Sequence, residues 1–289
     1  MLVFQKKCLL VLSFVAVVLL AAQGYAAITL EANYNVDQNL NIGSPSGGTL
    51  LGTANVSNGM LNTNAAPDGV IYGYTRNYLD ITDGVSWGNN TIVAVITLDA
   101  DAYPYDNLLG SGGGYNPDNR DGIKFYAHVP TWPGPALALH NDDGGPINIA
   151  MVGVNLGAQY QLSTGKEYFL AASWRDDGAT ISMRMYLREM GDILGTSVKY
   201  TSNTQTDPGG PSGFVRLDGY DQSLYVGRSF SNDPIDGGVD MVRIYNNFTD
   251  TQNDFAAVYT SVIPEPATLT VFALGSIMYF SRRNRTRTE

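Results

Sequence analysis

The 289-residue sequence predicts an all-β fold, an antiparallel β-sandwich of the jelly-roll kind, flanked by a short apolar segment at each end. Three observations predict it. Between Ala27 and Ile263 the chain is rich in Gly, Asn, Asp, Tyr and Thr, with few runs of helix formers, which is the composition of short strands joined by turns. Its apolar residues either alternate with a period of two or run continuously over strand-length stretches. Asp-Gly turn signals recur between those stretches, at Thr82-Asp83-Gly84, Arg120-Asp121-Gly122, Asp142-Asp143-Gly144-Gly145, Asp176-Asp177-Gly178 and Asp218-Gly219.

In chain order, Lys6 and Lys7 precede an apolar run from Cys8 to Ala22, and Gly24-Tyr25-Ala26 supplies a small-x-small cleavage pattern. Residues 1–26 are therefore expected to be a signal peptide cut after Ala26. The alternative is an uncleaved anchor, but the apolar run is about 15 residues, shorter than the roughly 20 that a spanning helix needs. Thr91 to Leu98 and Lys166 to Arg175 (Tyr168, Phe169, Leu170, Ala171, Ala172, Trp174) are more continuously apolar, as expected of central strands covered on both faces. In Thr180 to Leu187, Ile181, Met183, Met185 and Leu187 alternate with Thr180, Ser182, Arg184 and Tyr186, which predicts a half-buried strand with one apolar face. Asp176-Asp177-Gly178 turns the preceding strand into this one. Gly43 to Gly48 and Gly110 to Gly114 read as loops, and no internal repeat divides the chain. Residues 27–263 thus make one domain.

The last 26 residues read Pro264-Glu265-Pro266, an apolar run beginning at Ala267, and then Arg282, Arg283, Arg285 and Arg287. Pro-Glu-Pro cannot continue a helix, the apolar run is long enough to seek lipid, and the arginines hold the end on the cytoplasmic side. A buried terminal helix is the other reading, against which the four arginines argue. This order resembles the PEP-CTERM sorting signal. The resemblance implies a transmembrane sorting helix over residues 264–289, an exosortase-type membrane protease as partner, and a protein held transiently in the inner membrane before release to the cell envelope, surface or exopolysaccharide matrix.

Without the two ends, the domain keeps 11 basic and 25 acidic residues, a net charge of −14. That field repels phosphate backbones, which disfavours nucleic acid, and it favours divalent cations. The only cysteine, Cys8, falls in the leader, so the domain has no disulfide or thiol chemistry.

A second resemblance rests on two segments. Lys166 to Gly178, followed by Thr180 to Leu187, is similar to the central hairpin of the laminin-G-like (LamG), concanavalin-A-like lectin/glucanase superfamily. Leu224-Tyr225-Val226-Gly227-Arg228 and Asp236 to Asn246 resemble its closing pair of strands, with Met241 where that family commonly has an acid, and Asp250 to Thr260 matches its short following helix. The resemblance implies carbohydrate binding, with polysaccharide cleavage as the activity found on the glucanase branch.

The glucanase phrase Glu-x-Asp-x-x-Glu is absent, and the domain's glutamates, Glu31, Glu167 and Glu189, are scattered in sequence. An inverting pair assembled from distant carboxylates stays open. His128 and His140 come without a Gly-x-Ser-x-Gly elbow or cysteines, so no nucleophile or zinc motif forms around them. Calcium suits the paired aspartates of the turns, Asp99 with Asp101 and Asp142 with Asp143 above all; Asp118 with Asp121 and Asp218 with Asp221 are similar. Each pair is equally a turn-former. Tyr103, Tyr105, Tyr115 and Trp132 lie in Gly/Pro/Asp-rich stretches, where exposed rings could stack on sugar. Trp132, bracketed by Pro130, Pro133 and Pro135, is either such a platform or a plug over the sandwich end, whereas Trp87 and Trp174 read as core. The leading expectation is a non-enzymatic, exported module that binds glycan or protein. A polysaccharide-cleaving enzyme and a purely structural matrix component are the alternatives.

Overall fold

A computed structural model of the chain describes residues 28–34, 48–63, 68–74, 77–79, 88–99, 106–111, 122–128, 134–142, 149–157, 160–192, 194–206, 223–228 and 234–262. The expected signal peptide and sorting helix lie outside these residues. In chain order the elements are β1 (Ile28–Asn33), β2 (Thr49–Leu51), β3 (Asn55–Ser57), β4 (Met60–Thr63), β5 (Gly69–Tyr74), β6 (Asn89–Leu98), β7 (Asp106–Ser111), β8 (Gly122–His128), β9 (Ala136–Asp142), β10 (Ile149–Asn155), β11 (Glu167–Asp176), β12 (Thr180–Glu189), β13 (Lys199–Thr206), β14 (Ser223–Val226), β15 (Gly237–Tyr245) and the helix α1 (Gln252–Val262).

They build two antiparallel sheets. Sheet A has the order β13-β12-β11-β6-β15-β4-β3, with β1 also paired to β15, and sheet B the order β10-β9-β8-β7-β14-β5-β2. The main core lies between them, with Trp174, Leu30, Leu61, Ile92, Ile96, Leu98 and Phe125 all but excluded from solvent. Trp174 is core, as its sequence context implies; Trp87 lies outside the described residues.

The Asp176-Asp177-Gly178 turn forms between β11 and β12. The Asp177 carboxylate accepts the N–H groups of Ala179 at 3.0 Å and Thr180 at 2.7 Å, and Gly178 takes a φ of 82° that disfavours a side chain. β6 and β11 are buried along both faces, as expected of central strands.

Three expectations are corrected. β12 is not half-buried: Tyr186, on its supposedly polar face, is fully buried, because α1 crosses that face of sheet A. Leu224 to Arg228 and Asp236 to Asn246 supply strands that do not pair with each other; β14 sits in sheet B between β7 and β5, and β15 in sheet A. Gly110 is not a loop residue but a member of β7, opposite Tyr225 and Lys124, where the lack of a side chain suits close strand packing.

α1 covers a second apolar layer made by Val93, Val95, Phe169, Ala171, Tyr186, Met241 and Tyr245. Phe255 stacks on Tyr186 with ring centroids 5.6 Å apart, and Tyr259 meets Phe169 edge-on at 5.2 Å. Met241 is buried here, so an apolar residue at this position is required by the helix above it. The helix begins in a Thr-x-x-Asp capping box: Asp254 N–H donates to Thr251 Oγ1 at 3.2 Å, and Thr251 N–H to the Asp254 carboxylate at 3.1 Å.

On one side of the sandwich, side chains of β13 reach across to β10. Asn203 Nδ2 donates to the Gly153 carbonyl at 2.8 Å and the Gly153 N–H donates to Gln205 Oε1 at 3.1 Å, so amides of edge strand β13 satisfy both outward backbone groups of Gly153 in the middle of β10. Replacing Phe255 with Ala is expected to cost about 3–5 kcal/mol of stability, since it empties the centre of the second layer; urea denaturation checks this.

Candidate functional site

The register sorts the connections to two ends of the sandwich. β6 finishes at Leu98 and the chain crosses to sheet B at Asp106, which pairs with His128 at the end of β8. This crossing end also receives the start of β9 and the end of β10. At the far end lie Ser111, Gly122, Asp142 and Ile149.

Asp101, Tyr103 and Tyr105 belong to the connection between Asp99 and Asp106, and Trp132 to that between His128 and Gly134; all four lie outside the described residues, but both connections begin and end at the crossing end. Tyr115 and Asp143 also lie outside the described residues, in the connections that leave the far end. Asp99 is described and exposed, beside the crossing end, while Asp142 closes β9 about 20 Å away along the strand. Asp99 and Asp142 are thus held at opposite ends, and the connection holding Tyr115 attaches at the other end from those holding Tyr103, Tyr105 and Trp132. His128 and His140 likewise sit toward opposite ends. Among the described residues no three His, Cys, Asp or Glu side chains come close enough to hold a metal ion.

The crossing end is polar and well ordered by hydrogen bonds. Asp99 N–H donates to the Asp236 carbonyl at 3.1 Å, and Asp236 N–H approaches Asp106 Oδ1 at 3.5 Å, with Asp106 itself fully buried. The buried Asp68 accepts the backbone N–H of Thr53 at 2.6 Å and its hydroxyl at 2.8 Å. Arg228, also buried, lies with its guanidinium 5.0 Å from the Tyr225 ring centroid. Gly237 has a φ of 156°, and a Cβ there would collide with the Thr97 carbonyl oxygen; only glycine lets β15 start against β6 at this point.

One constellation was not visible as such in the sequence. Glu167 opens β11 opposite Thr97, and Gly238 of β15 pairs with Thr97 from the other side. The β15 register then shifts between Val239 and Met241, so Asp240 is the extra residue of a bulge. Glu167 and Asp240 thus flank β6, their strands about 10 Å apart. Burial, and secondarily the negative charge of Glu167, push the Asp240 carboxyl up to about 6, and burial raises Glu167 as well. Asp240 Oδ1 is shielded from solvent without a hydrogen-bond partner. The arrangement can hold a proton on Asp240 under mildly acidic conditions beside a second carboxylate. The other two glutamates are in ion pairs, Glu31 with Arg243 at 2.8 Å between β1 and β15 and Glu189 with Lys166 at 2.8 Å. The sequence signal nearest to the Glu167–Asp240 pair is the phrase Asp236 to Asn246, which places Asp240 on a strand and does not reveal a bulge.

No protein family and no curated protein matches this chain. Among solved structures it is similar to domain 4 of an extracellular arabinanase from Geobacillus stearothermophilus in complex with arabinotriose, at 15% identity over 81% of this chain and 99% of that one, with a TM-score of 0.48. It is similar to the botulinum neurotoxin serotype D binding domain at 12% identity over 81% and 52% of the two chains, TM-score 0.47. It is also similar to the CBM40 of the Ruminococcus gnavus IT-sialidase bound to alpha2,6 sialyllactose, at 14% identity over 80% and 99%, TM-score 0.45. These likenesses are too distant to assign a family or an activity.

Because the Asp240 pKa is higher folded than unfolded, its contribution is most favourable below the ordinary carboxylate range, near 3.8, and declines as pH rises through about 6. Asp240→Asn is therefore expected to stabilise the protein relative to wild type at pH 7, with the advantage vanishing at pH 4 and below. Thermal melts of both proteins across that range check the sign.

Proposed function

We propose that this chain is an exported glycan-binding module of the LamG-like, concanavalin-A-like type, directed to the cell surface or extracellular polysaccharide by its leader and by a PEP-CTERM-type tail. The observation that carries the binding reading is the sorting of connections: those holding Tyr103, Tyr105 and Trp132 attach at the same end of the sandwich as exposed Asp99. Aromatic rings stack on the C–H faces of sugars, and acidic oxygens hold calcium that can in turn fix sugar hydroxyls. Asp99 and Asp101 are the preferred calcium pair; Asp142 and Asp143 are the secondary pair, and Tyr115 is a secondary aromatic, in a connection that attaches at the far end.

A polysaccharide-cleaving activity is the second reading. Glu167 and Asp240 favour it, because two carboxyls on strands about 10 Å apart, one with raised proton affinity, meet the elementary requirement of an inverting acid and base. Release of reducing ends from an envelope polysaccharide, lost in Asp240→Asn, would make this the main function.

On a glycan array, the exported protein is expected to bind a defined subset of sugars, and Trp132→Ala to weaken that binding roughly tenfold, a loss of about 1.4 kcal/mol. Chelation should weaken it further only if Asp99 and Asp101 hold calcium, and millimolar calcium should then restore it. Full binding by Trp132→Ala would remove the crossing end from consideration. Mass spectrometry of released protein is expected to find a C-terminus near Pro264; an intact Arg287 in that material would overturn the sorting reading.

A further inference from the structure

Both ends of the described domain meet at one residue. Ile28, the first residue of β1, pairs across the sheet with Tyr245, and the Ser261 hydroxyl of the last turn of α1 lies against the Tyr245 hydroxyl. α1 runs across sheet A, from Phe255 over Tyr186 and Tyr200 to this point beside β15. Only Ile263, Pro264, Glu265 and Pro266 separate Val262 from the apolar run that starts at Ala267. Fully extended, four residues span at most about 14 Å. A domain of this size has a radius of gyration of about 18 Å. With the tail in a bilayer the domain therefore cannot stand away from it or turn freely, and the side from which the chain leaves must rest on the headgroups.

That side is electrostatically suited to the contact. In a domain of net charge −14, the exposed residues in the later part of α1 are Ala257, Thr260 and Ser261, with no acidic or basic residue after Asp254. Next to them Glu31 is neutralised by Arg243, and Ile28 is 45% exposed. We propose that, before the tail is removed, the domain docks on the membrane through the C-terminal half of α1 and the start of β1. The occupant of this face is a phospholipid surface. Sheet B then faces away from the bilayer, and both ends of the sandwich stay open to ligand. The proposal rests on reading residues 264–289 as membrane-directed.

The domain's lack of cysteine makes the test direct. The full chain carrying Cys8→Ser is given one cysteine at a time, Thr260→Cys, Leu50→Cys on sheet B, or Leu194→Cys at the 86% exposed tip between β12 and β13, and each is labelled with bimane. The proteins are reconstituted into phosphatidylethanolamine vesicles with a minor share of phosphatidylglycerol and spin-labelled headgroups. Flotation with the vesicles is expected, with loss of fluorescence at Thr260→Cys and none at Leu50→Cys or Leu194→Cys. Flotation with equal quenching at all three sites, or with quenching confined to Leu194→Cys or Leu50→Cys, overturns the docking face alone. Failure to float overturns the tail reading together with the docking face. A charge pair introduced as Ala257→Glu and Thr260→Glu should reduce the quenching of a Ser261→Cys label in the same vesicles, and unchanged quenching would again count against the contact.

Discussion

Sheet A is apolar on both faces, and that constraint governs the rest of the molecule. One face of β6, β11, β12 and β15 packs against sheet B; the other presents Val93, Val95, Phe169, Ala171, Tyr186 and Met241, which water would leave strongly unfavourable. α1 has to lie across them. Its position then dictates the capping box at Thr251 that starts it, the aromatic stack of Phe255 on Tyr186, and the place where the chain leaves the domain. A helix supported mainly by one buried aromatic and one valine, Phe255 and Val258, is stable only because the sheet beneath it is complete.

The strand skeleton was largely legible in the sequence because its signals are local. A period of two, a continuous apolar run and an Asp-Gly turn each report on a few neighbouring residues, and β6, β11, β12 and the turn between them stand where those signals lie. The misreadings arose where a distant element changes what a local pattern means. Tyr186 alternates with apolar residues and so looked solvent-facing, but a helix some 70 positions later covers it. Two strands read as partners sit in different sheets because pairing is decided by topology across the whole chain.

The candidate site was legible as residue types and not as an arrangement. Aspartates and aromatics in turn-rich stretches can be picked out, but the end at which each connection attaches follows from strand direction, which divides Asp99 from Asp142 and the connection holding Tyr115 from that holding Trp132. Glu167 and Asp240 are 73 positions apart and are brought to either side of β6 only by the register of three strands and a one-residue bulge. No spacing in the sequence encodes such a bulge. The glycine at 237, by contrast, carries a local message whose cause is distant: the Thr97 carbonyl leaves room for nothing larger.

The amides of Asn203 and Gln205 have a consequence beyond neatness of the fold. By occupying both backbone groups of Gly153, they interrupt the ladder that β10 would otherwise offer to a strand from another molecule. A second copy of the chain approaching this side meets side chains at Gly153 instead of free backbone groups. Growth of sheet B by edge-to-edge addition is thereby hindered at the middle of β10, so side chains borrowed from the other sheet act there as a stop.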